Sequence, residues 1–254
     1  MQLKSLFVLL FSLLITSAFA QRATSDRIDT KKGPLTIQPI LHGSVVLQWD
    51  GKTVYVDPYG GADAFKGLAA PDLILITDIH GDHMDPKTLE ALDLSKAVII
   101  APQAVADQLP AALKEKVSVL SNGSQTEKLG VAIRALPMYN LPESADSRHP
   151  KGRGNGYVLT MAGKNVYLSG DTEDIPEMRA LKGIDVAFVC MNLPYTMDVN
   201  QAAQGVLAFK PAIVYPYHYR GQEGLSDVEA FKKAVNAGNA KIDVRLRNWY
   251  PEAK

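Results

Sequence analysis

One cysteine, Cys190, stands in 254 residues. No internal disulfide can form, so stability has to come from a packed core and from any bound ligand. Charge of one sign is equally scarce: Lys and Arg number 27, Asp and Glu 27, for a formal net charge of +0. No global field therefore draws the chain to nucleic acid or to an anionic membrane surface. The sequence has no repeat at solenoid periods, no low-complexity tract and no linker that would split it. A hydrophobic share of 46% over this length is ample for one sizeable core.

A long apolar run occurs at the start. Leu6 to Ile15 follows Lys4 and leads into Ala18-Phe19-Ala20. This is the order of a secretory signal peptide, too short and wrongly flanked for a membrane span; an uncleaved anchor is the alternative. The expected organisation is a signal peptide over residues 1–20, a polar flexible leader over 21–34, and one domain over 35–254. The mature chain is expected in the periplasm or outside the cell, with no stable membrane anchor. Cys190 closes the apolar run Val186 to Val189 and reads as a buried structural residue.

Alternation predicts strands over Leu35–Ile40, Ser44–Trp49 and Thr53–Val56, the last two joined by a hairpin at Asp50-Gly51. Leu73 to Ile76 reads as a buried strand. Helices are expected over Lys87–Leu92, Gln103–Lys114, Pro176–Leu181, Val199–Phe209 and Asp227–Val235. Further strands are expected over Ala97–Ala101, Val117–Leu120, Val131–Leu136, Gly156–Thr160, Asn165–Leu168, Asp185–Cys190, Ala212–Tyr215 and Val244–Leu246. Strands first, then strand-helix units, with the pattern appearing again in the second half, fit α/β architecture: a sandwich of two mixed sheets with outer helices.

The chemistry concentrates in Ile76-Thr77-Asp78-Ile79-His80-Gly81-Asp82-His83-Met84-Asp85. The loop lies between the buried strand and a helix that Asp85 and Pro86 should start as N-cap and first residue. In extended chain Asp78 and His80 point the same way and can share a target. Asp82 and His83 are adjacent and diverge, which suits a second target beside the first. Imidazole and carboxylate are donors for zinc and neighbouring transition metals. Gly170-Asp171-Thr172 puts Asp171 just past a strand end, either as a ligand able to bridge two metals or as a cap for the next helix. Val214-Tyr215-Pro216-Tyr217-His218 places another imidazole after an apolar run. In the loop around His149, Arg148, Lys151 and Arg153 are either receptors for an anionic substrate group or solvated charges.

The Asp78–His83 stretch resembles the H-x-H-x-D-H signature of the metallo-β-lactamase superfamily, with Asp78 in place of the first His. Gly170-Asp171-Thr172 and His218 match its later motifs. His149-Pro150-Lys151-Gly152 before Gly156-Tyr157-Val158 is similar to the ascorbate-6-phosphate lactonase-like branch. The resemblance implies the αββα metallo-β-lactamase sandwich with its metal site at one edge between the sheets. It implies a first site of Asp78, His80 and His149, a second of Asp82, His83 and His218, and Asp171 bridging them. His149 could instead face substrate, with Tyr139 or Asn140 near the metal. Asp57 would orient a ligand, His42-Gly43-Ser44 would be a wall or support, and Asp198 reads as an N-cap.

The expected activity is metal-dependent hydrolysis of a small ester, lactone or phosphodiester, anionic or neutral. One or two divalent ions, zinc or else manganese or iron, would lower the pKa of a bound water, with Asp82 and Asp171 as catalytic carboxylates. Asp78, a harder donor, shifts preference toward manganese or iron, or leaves the first site weak and the centre mononuclear. The partner is a small-molecule substrate, not nucleic acid. An exported metal-binding protein without turnover is the alternative; a redox or persulfide-handling relative would need a flavin segment that the sequence does not display. Export has a direct readout: the mature N-terminus is Gln21 by intact mass, and native protein that retains residues 1–20 contradicts the reading.

Overall fold

Alternating side chains set the layers. The computed structural model describes residues 22–251, and the signal peptide read over 1–20 lies outside them. The first sheet runs in chain order through β1 (Asp26–Ile28), β2 (Leu35–Pro39), β3 (Val45–Trp49), β4 (Lys52–Val56), β5 (Leu73–Leu75), β6 (Val98–Ala101) and β7 (Val117–Val119). Along β3 and β4, Val45, Leu47, Val54 and Val56 face the second sheet. Val46 and Tyr55 face the opposite way, into a layer that includes Leu89, Val105 and Leu113. Those three come from α1 (Pro86–Ala91), α2 (Gln103–Gln108) and α3 (Ala111–Lys114). A period of two in a sheet covered on both faces makes nearly every strand residue apolar, as these segments are.

The second sheet contains β8 (Gln125–Lys128), β9 (Val131–Met138), β10 (Gly154–Met161), β11 (Lys164–Leu168), β12 (Val186–Cys190), β13 (Ile213–Tyr217) and β16 (Asp243–Val244), with β16 beside β13. A small hairpin, β14 (Arg220–Gly221) with β15 (Gly224–Leu225), stands apart. The helices α4 (Pro176–Arg179), α5 (Val199–Phe209) and α6 (Val228–Gly238) connect the later strands. Both sheets begin antiparallel and turn parallel: β4, β5, β6 and β7 pair in parallel, as do β11, β12, β13 and β16. This is the sandwich of two mixed sheets with outer helices.

Several boundaries differ from expectation. The helix expected over Gln103–Lys114 is two, because Pro110 cannot donate to the ladder and ends the first at Gln108. β8, with the polar sequence Gln-Thr-Glu-Lys, is a half-exposed edge strand that carries no apolar run. The leader is also more structured than its polarity implied. β1 pairs antiparallel with β2 through Asp26, Arg27 and Ile28. Asp26 accepts hydrogen bonds from Tyr215 Oη (2.7 Å), Arg247 Nη2 (2.6 Å) and Arg245 Nη1 (3.2 Å). The leader's charge is thus consumed in tying the first sheet's edge to the end of the chain.

Burial acts to raise the Asp26 carboxyl, but the Tyr215 hydroxyl, the Arg27 amide and the Arg247 and Arg245 guanidinium groups outweigh it and lower its pKa. A depressed folded value means that this carboxylate stabilises fully above the unfolded pKa of about 3.9 and loses its contribution as pH falls through the folded value. Asp26→Asn should therefore cost about 1.5–3 kcal/mol at pH 7, the range for hydrogen bonds to a charged group. Urea unfolding at neutral pH and near pH 3 checks this: the gap between variant and wild type narrows in acid.

Candidate metal centre

Five chain segments deliver side chains to one edge of the sandwich: the ends of β4, β5, β11 and β13 and the loop between β9 and β10. Asp57 follows β4, the Asp78–His83 loop follows β5, Asp171 follows β11 and His218 follows β13. The carboxyl ends of parallel strands are where such sheets place functional groups. Asp85 caps α1 by accepting from the Lys87 amide at 3.1 Å, which fixes the exit of the loop. His42, Asp57 and His218 all have left-handed backbones, with φ of 52°, 44° and 45°. Each costs on the order of 1–3 kcal/mol for a residue with a Cβ. Gly170, at φ 61°, precedes Asp171 where a Cβ would stand 2.7 Å from Met138 Sδ.

The imidazoles are oriented from behind. His83 Nδ1 lies 2.8 Å from Asp57 Oδ2, while the Thr77 amide and hydroxyl donate to the same carboxylate at 2.7 and 2.6 Å. His83 and Asp57 are both fully buried. With its proton on Nδ1, His83 presents a bare Nε2. Asn140 does the same for His149. Its Oδ1 accepts from the His149 amide at 2.8 Å and lies 3.1 Å from Nδ1, while its Nδ2 donates to Glu173 and to the Tyr195 carbonyl. Asn140 therefore stands behind His149 rather than at the cluster, and the Tyr139 hydroxyl turns away to Glu177.

Three Nε2 atoms converge on Asp171. His83 Nε2 is 3.4 Å and His149 Nε2 3.3 Å from its Oδ2, and His218 Nε2 is 3.5 Å from its Oδ1. His83 and His218 Nε2 are 3.1 Å apart, and Asp82 Oδ2 is 3.2 Å from His218 Nε2. Donors bonded to a common zinc at about 2.1 Å stand about 3.0–3.4 Å apart in octahedral or tetrahedral arrangement. His149 Nε2 and Asp171 Oδ1 are buried without a hydrogen-bond partner. Buried polar atoms of this kind need an explanation, and a cation at the cluster supplies one for Asp171 Oδ1. The donor set fits a divalent metal.

The electrostatics agree. Burial disfavours a charged His83, yet the carboxylates of Asp171 and Asp57 outweigh it and raise its pKa well above the ordinary value. Burial alone would lift the Asp171 carboxyl, but the adjacent His218 and His83 pull it well below the usual range. Carboxylates are in excess and the cluster recruits positive charge, from a proton or from a metal. Cys190 plays no nucleophilic part: burial pushes its thiol up to about 12, and Sγ lies 3.3 Å from the Thr172 carbonyl.

Asp78, His80 and His149 also come together, their donor atoms within 4.8 Å of one another. Asp78 is nevertheless committed elsewhere. Arg153 donates to it twice, Nε to Oδ1 at 3.2 Å and Nη2 to Oδ2 at 3.1 Å, and His80 Nδ1 lies 2.6 Å from Oδ2. Arg153 thus faces a carboxylate of its own chain. Lys151 pairs with Glu143 and Glu177. Of the three cations weighed as anion receptors, only Arg148 lines the cavity above the cluster. That cavity, of about 270 Å³, is also lined by His42, His80, Asp82, Asp171, Asn192, Tyr195, His218 and Arg220.

Arg220 was missed in the sequence, being one charge in a short hairpin with no motif around it. Its guanidinium stacks on Tyr250, as that of Arg148 does on Tyr195, at 4.6 and 4.4 Å. His42 stands beside His218, with ring centroids 5.3 Å apart, and its Nδ1 is 3.2 Å from the Tyr250 hydroxyl. Burial and the neighbouring His218 lower its pKa to about 4. It is a neutral wall of the cavity at physiological pH. Larger grooves of about 470 and 610 Å³ are lined by no histidine, so the chemistry belongs to the smaller one.

Comparison with known proteins finds relatives over most of the chain. A family model described as a β-lactamase superfamily domain matches residues 36–218. A metal-dependent hydrolase of Pyrococcus abyssi is 33% identical over 204 residues, which cover 76% of this chain and 88% of the relative. A solved structure from Parabacteroides distasonis, assigned as a metal-dependent hydrolase, is 41% identical, with a TM-score of 0.79 over 89% of this chain and 98% of that one. A metallo hydrolase from Ignicoccus hospitalis shares the fold, with a TM-score of 0.70 at 24% identity over 84% of this chain and 94% of that one.

Asp57 reaches the centre only through His83, so its removal isolates the orienting contribution. Asp57→Asn should weaken metal binding by about 10–100-fold, the usual effect of losing such a partner. Competition against a chromophoric chelator measures the change. Unaltered affinity in a folded Asp57→Asn protein would show that His83 needs no orienting carboxylate.

Proposed function

The chain belongs to the metallo-β-lactamase superfamily and is a metal-dependent hydrolase; from that premise we propose that it is an exported enzyme acting on a small anionic ester, lactone or phosphodiester. The carrying observation is the convergence of His83, His149 and His218 Nε2 on the buried Asp171 carboxylate, at the floor of a cavity flanked by Arg148 and Arg220. Lys4, the apolar run and Ala18-Phe19-Ala20 support export.

Asp82, His83, Asp171 and His218 would hold the metal, with zinc favoured by the imidazoles and manganese or iron compatible with the carboxylates. When bound, the ion supplies a water acidified to near neutrality and polarisation of a carbonyl or phosphoryl oxygen. The protein does the rest. Asp82 is about one-third exposed to the cavity; its Oδ2 is held by His218, and its Oδ1 lies 4.0 Å from His83 Nε2. Oδ1 is the oxygen placed to accept a proton from the attacking water. Asp171, oriented among three imidazoles, keeps its negative charge at the reaction centre. Arg148 and Arg220, stiffened by Tyr195 and Tyr250, receive the anionic group and hold the scissile bond over the cluster.

The test is a panel of lactone, phosphodiester and β-lactam substrates with apo and metal-reconstituted protein. Chelation should abolish turnover and zinc, manganese or iron restore it. On the best anionic substrate, Arg220→Ala should raise KM by about tenfold or more, the equivalent of one charged hydrogen bond, with a smaller change in kcat. Metal binding without turnover across the panel would favour a metal-binding protein instead.

A further inference from the structure

The one departure from the superfamily signature, Asp78, has a counterpart 75 residues away. Asp78 is wholly buried and Arg153 four-fifths buried, and they meet in a two-pronged ion pair. Arg153 Nη2 is held further by the Arg148 carbonyl at 2.6 Å. Both Asp78 oxygens accept from Arg153, and Oδ2 also meets His80 Nδ1. A parallel pair of this kind is among the strongest charged contacts, and separating it leaves a buried charge without its partner. An imidazole at position 78 could accept no such pair from Arg153, since its one bare nitrogen offers a single acceptor.

We infer that Arg153 closes the first metal position: its guanidinium supplies there the positive charge that a second ion would bring, and the centre takes up one divalent ion, at Asp82, His83, Asp171 and His218, leaving His149 Nε2 as the unused donor of the closed position. This rests on the hydrolase reading and makes it mononuclear. A metal ligated by Asp78 Oδ2 at about 2.1 Å would lie within about 5 Å of the Arg153 nitrogen on the same oxygen. Two cations at that distance in a buried site repel, and each Asp78 oxygen already accepts from the guanidinium, with His80 Nδ1 also on Oδ2. His80 Nδ1 also turns to Asp78, but Arg153 compensates that carboxylate, so the ring gains orientation without the charge that makes His83 a strong donor. It becomes a wall of the cavity, and Asp78 a positioning residue for it.

The position of the remaining ion follows from the orienting partners. His83 is backed by a carboxylate, the arrangement that makes imidazole a stronger donor, whereas His149 is backed by the neutral amide of Asn140. Asp82 adds a carboxylate on the His83 and His218 side, while Asp171 stands between the halves, 3.4 Å from His83 and 3.3 Å from His149. Arg153 adds a cation on the side of Asp78. Donor strength and charge both select the same half of the cluster.

Chelated protein would be titrated separately with zinc and with manganese, with bound metal counted by mass spectrometry of the elements after desalting. Wild type should hold one equivalent, and Asp78→Ala should also hold one. Arg153→Gln, which releases the Asp78 carboxylate, should gain a second equivalent that binds at least tenfold more tightly than any second ion in wild type. If Arg153→Gln does not fold by circular dichroism, the double variant Asp78→His with Arg153→Gln removes both buried charges and should likewise hold two. Two tight equivalents in wild type, with the second lost in Asp78→Ala, would overturn the inference and leave the hydrolase reading standing. A folded Arg153→Gln protein that stays at one equivalent overturns the role given to Arg153. No metal bound by wild type overturns the hydrolase reading, and this inference with it.

Discussion

The rest of the structure depends on a buried carboxylate that its own chain does not neutralise. Asp171 is almost wholly enclosed, has three imidazole nitrogens within 3.5 Å and keeps Oδ1 without a hydrogen-bond partner. A carboxylate in that position is costly unless positive charge is brought to it. The fold is arranged to bring that charge. Two sheets that turn from antiparallel to parallel place the ends of β4, β5, β11 and β13 at a common edge. Left-handed backbone at His42, Asp57 and His218 aims the chain inward where extended strands would carry it past. The strain is carried by the paired sheets, whose shared core draws buried residues from Ile28 to Tyr250.

Much of this was legible in the sequence, for physical reasons that can be named. Asp78, His80, Asp82 and His83 fall between a four-residue apolar run and a capped helix start, and a loop that short cannot separate its side chains widely. Asp171 and His218 each follow an apolar strand, and strand ends in parallel sheets gather at one face. Asp171 is no cap: α4 begins after Ile175 with no side-chain cap at all. Asp198 is one, accepting from the Gln201 amide at 2.7 Å. The hairpin at Asp50-Gly51 has the positive φ that its residues favour.

What was not legible depended on pairing across the chain. Asp26 meets Arg245 and Arg247 more than 200 residues on, and nothing local distinguishes that aspartate from its solvated neighbours. Arg153 and Arg148 sit in one basic loop, yet one is buried against Asp78 and the other lines the cavity. A cluster of like charges in sequence says nothing about which member finds a partner. Arg220 reaches the cavity from a two-residue strand. β8 forms because β9 offers it an edge, although its own residues carry no apolar pattern.

The same imidazole chemistry is tuned four ways within this cluster, and the tuning follows from the atom behind each ring. His83 has a carboxylate at Nδ1, His149 an amide oxygen, His80 a carboxylate already shared with Arg153, and His218 no partner at Nδ1. Donor strength rises with negative charge behind the ring, so His83 is the strongest anchor and His149 a neutral one. His80 is the exception that explains the others. Its carboxylate partner is compensated by a guanidinium, so the ring gains an orientation without gaining charge. A signature with aspartate in the first position is therefore not a weakened copy of one with histidine. It moves that position from holding a cation to holding an arginine, and leaves the acidic character of the centre concentrated around Asp171.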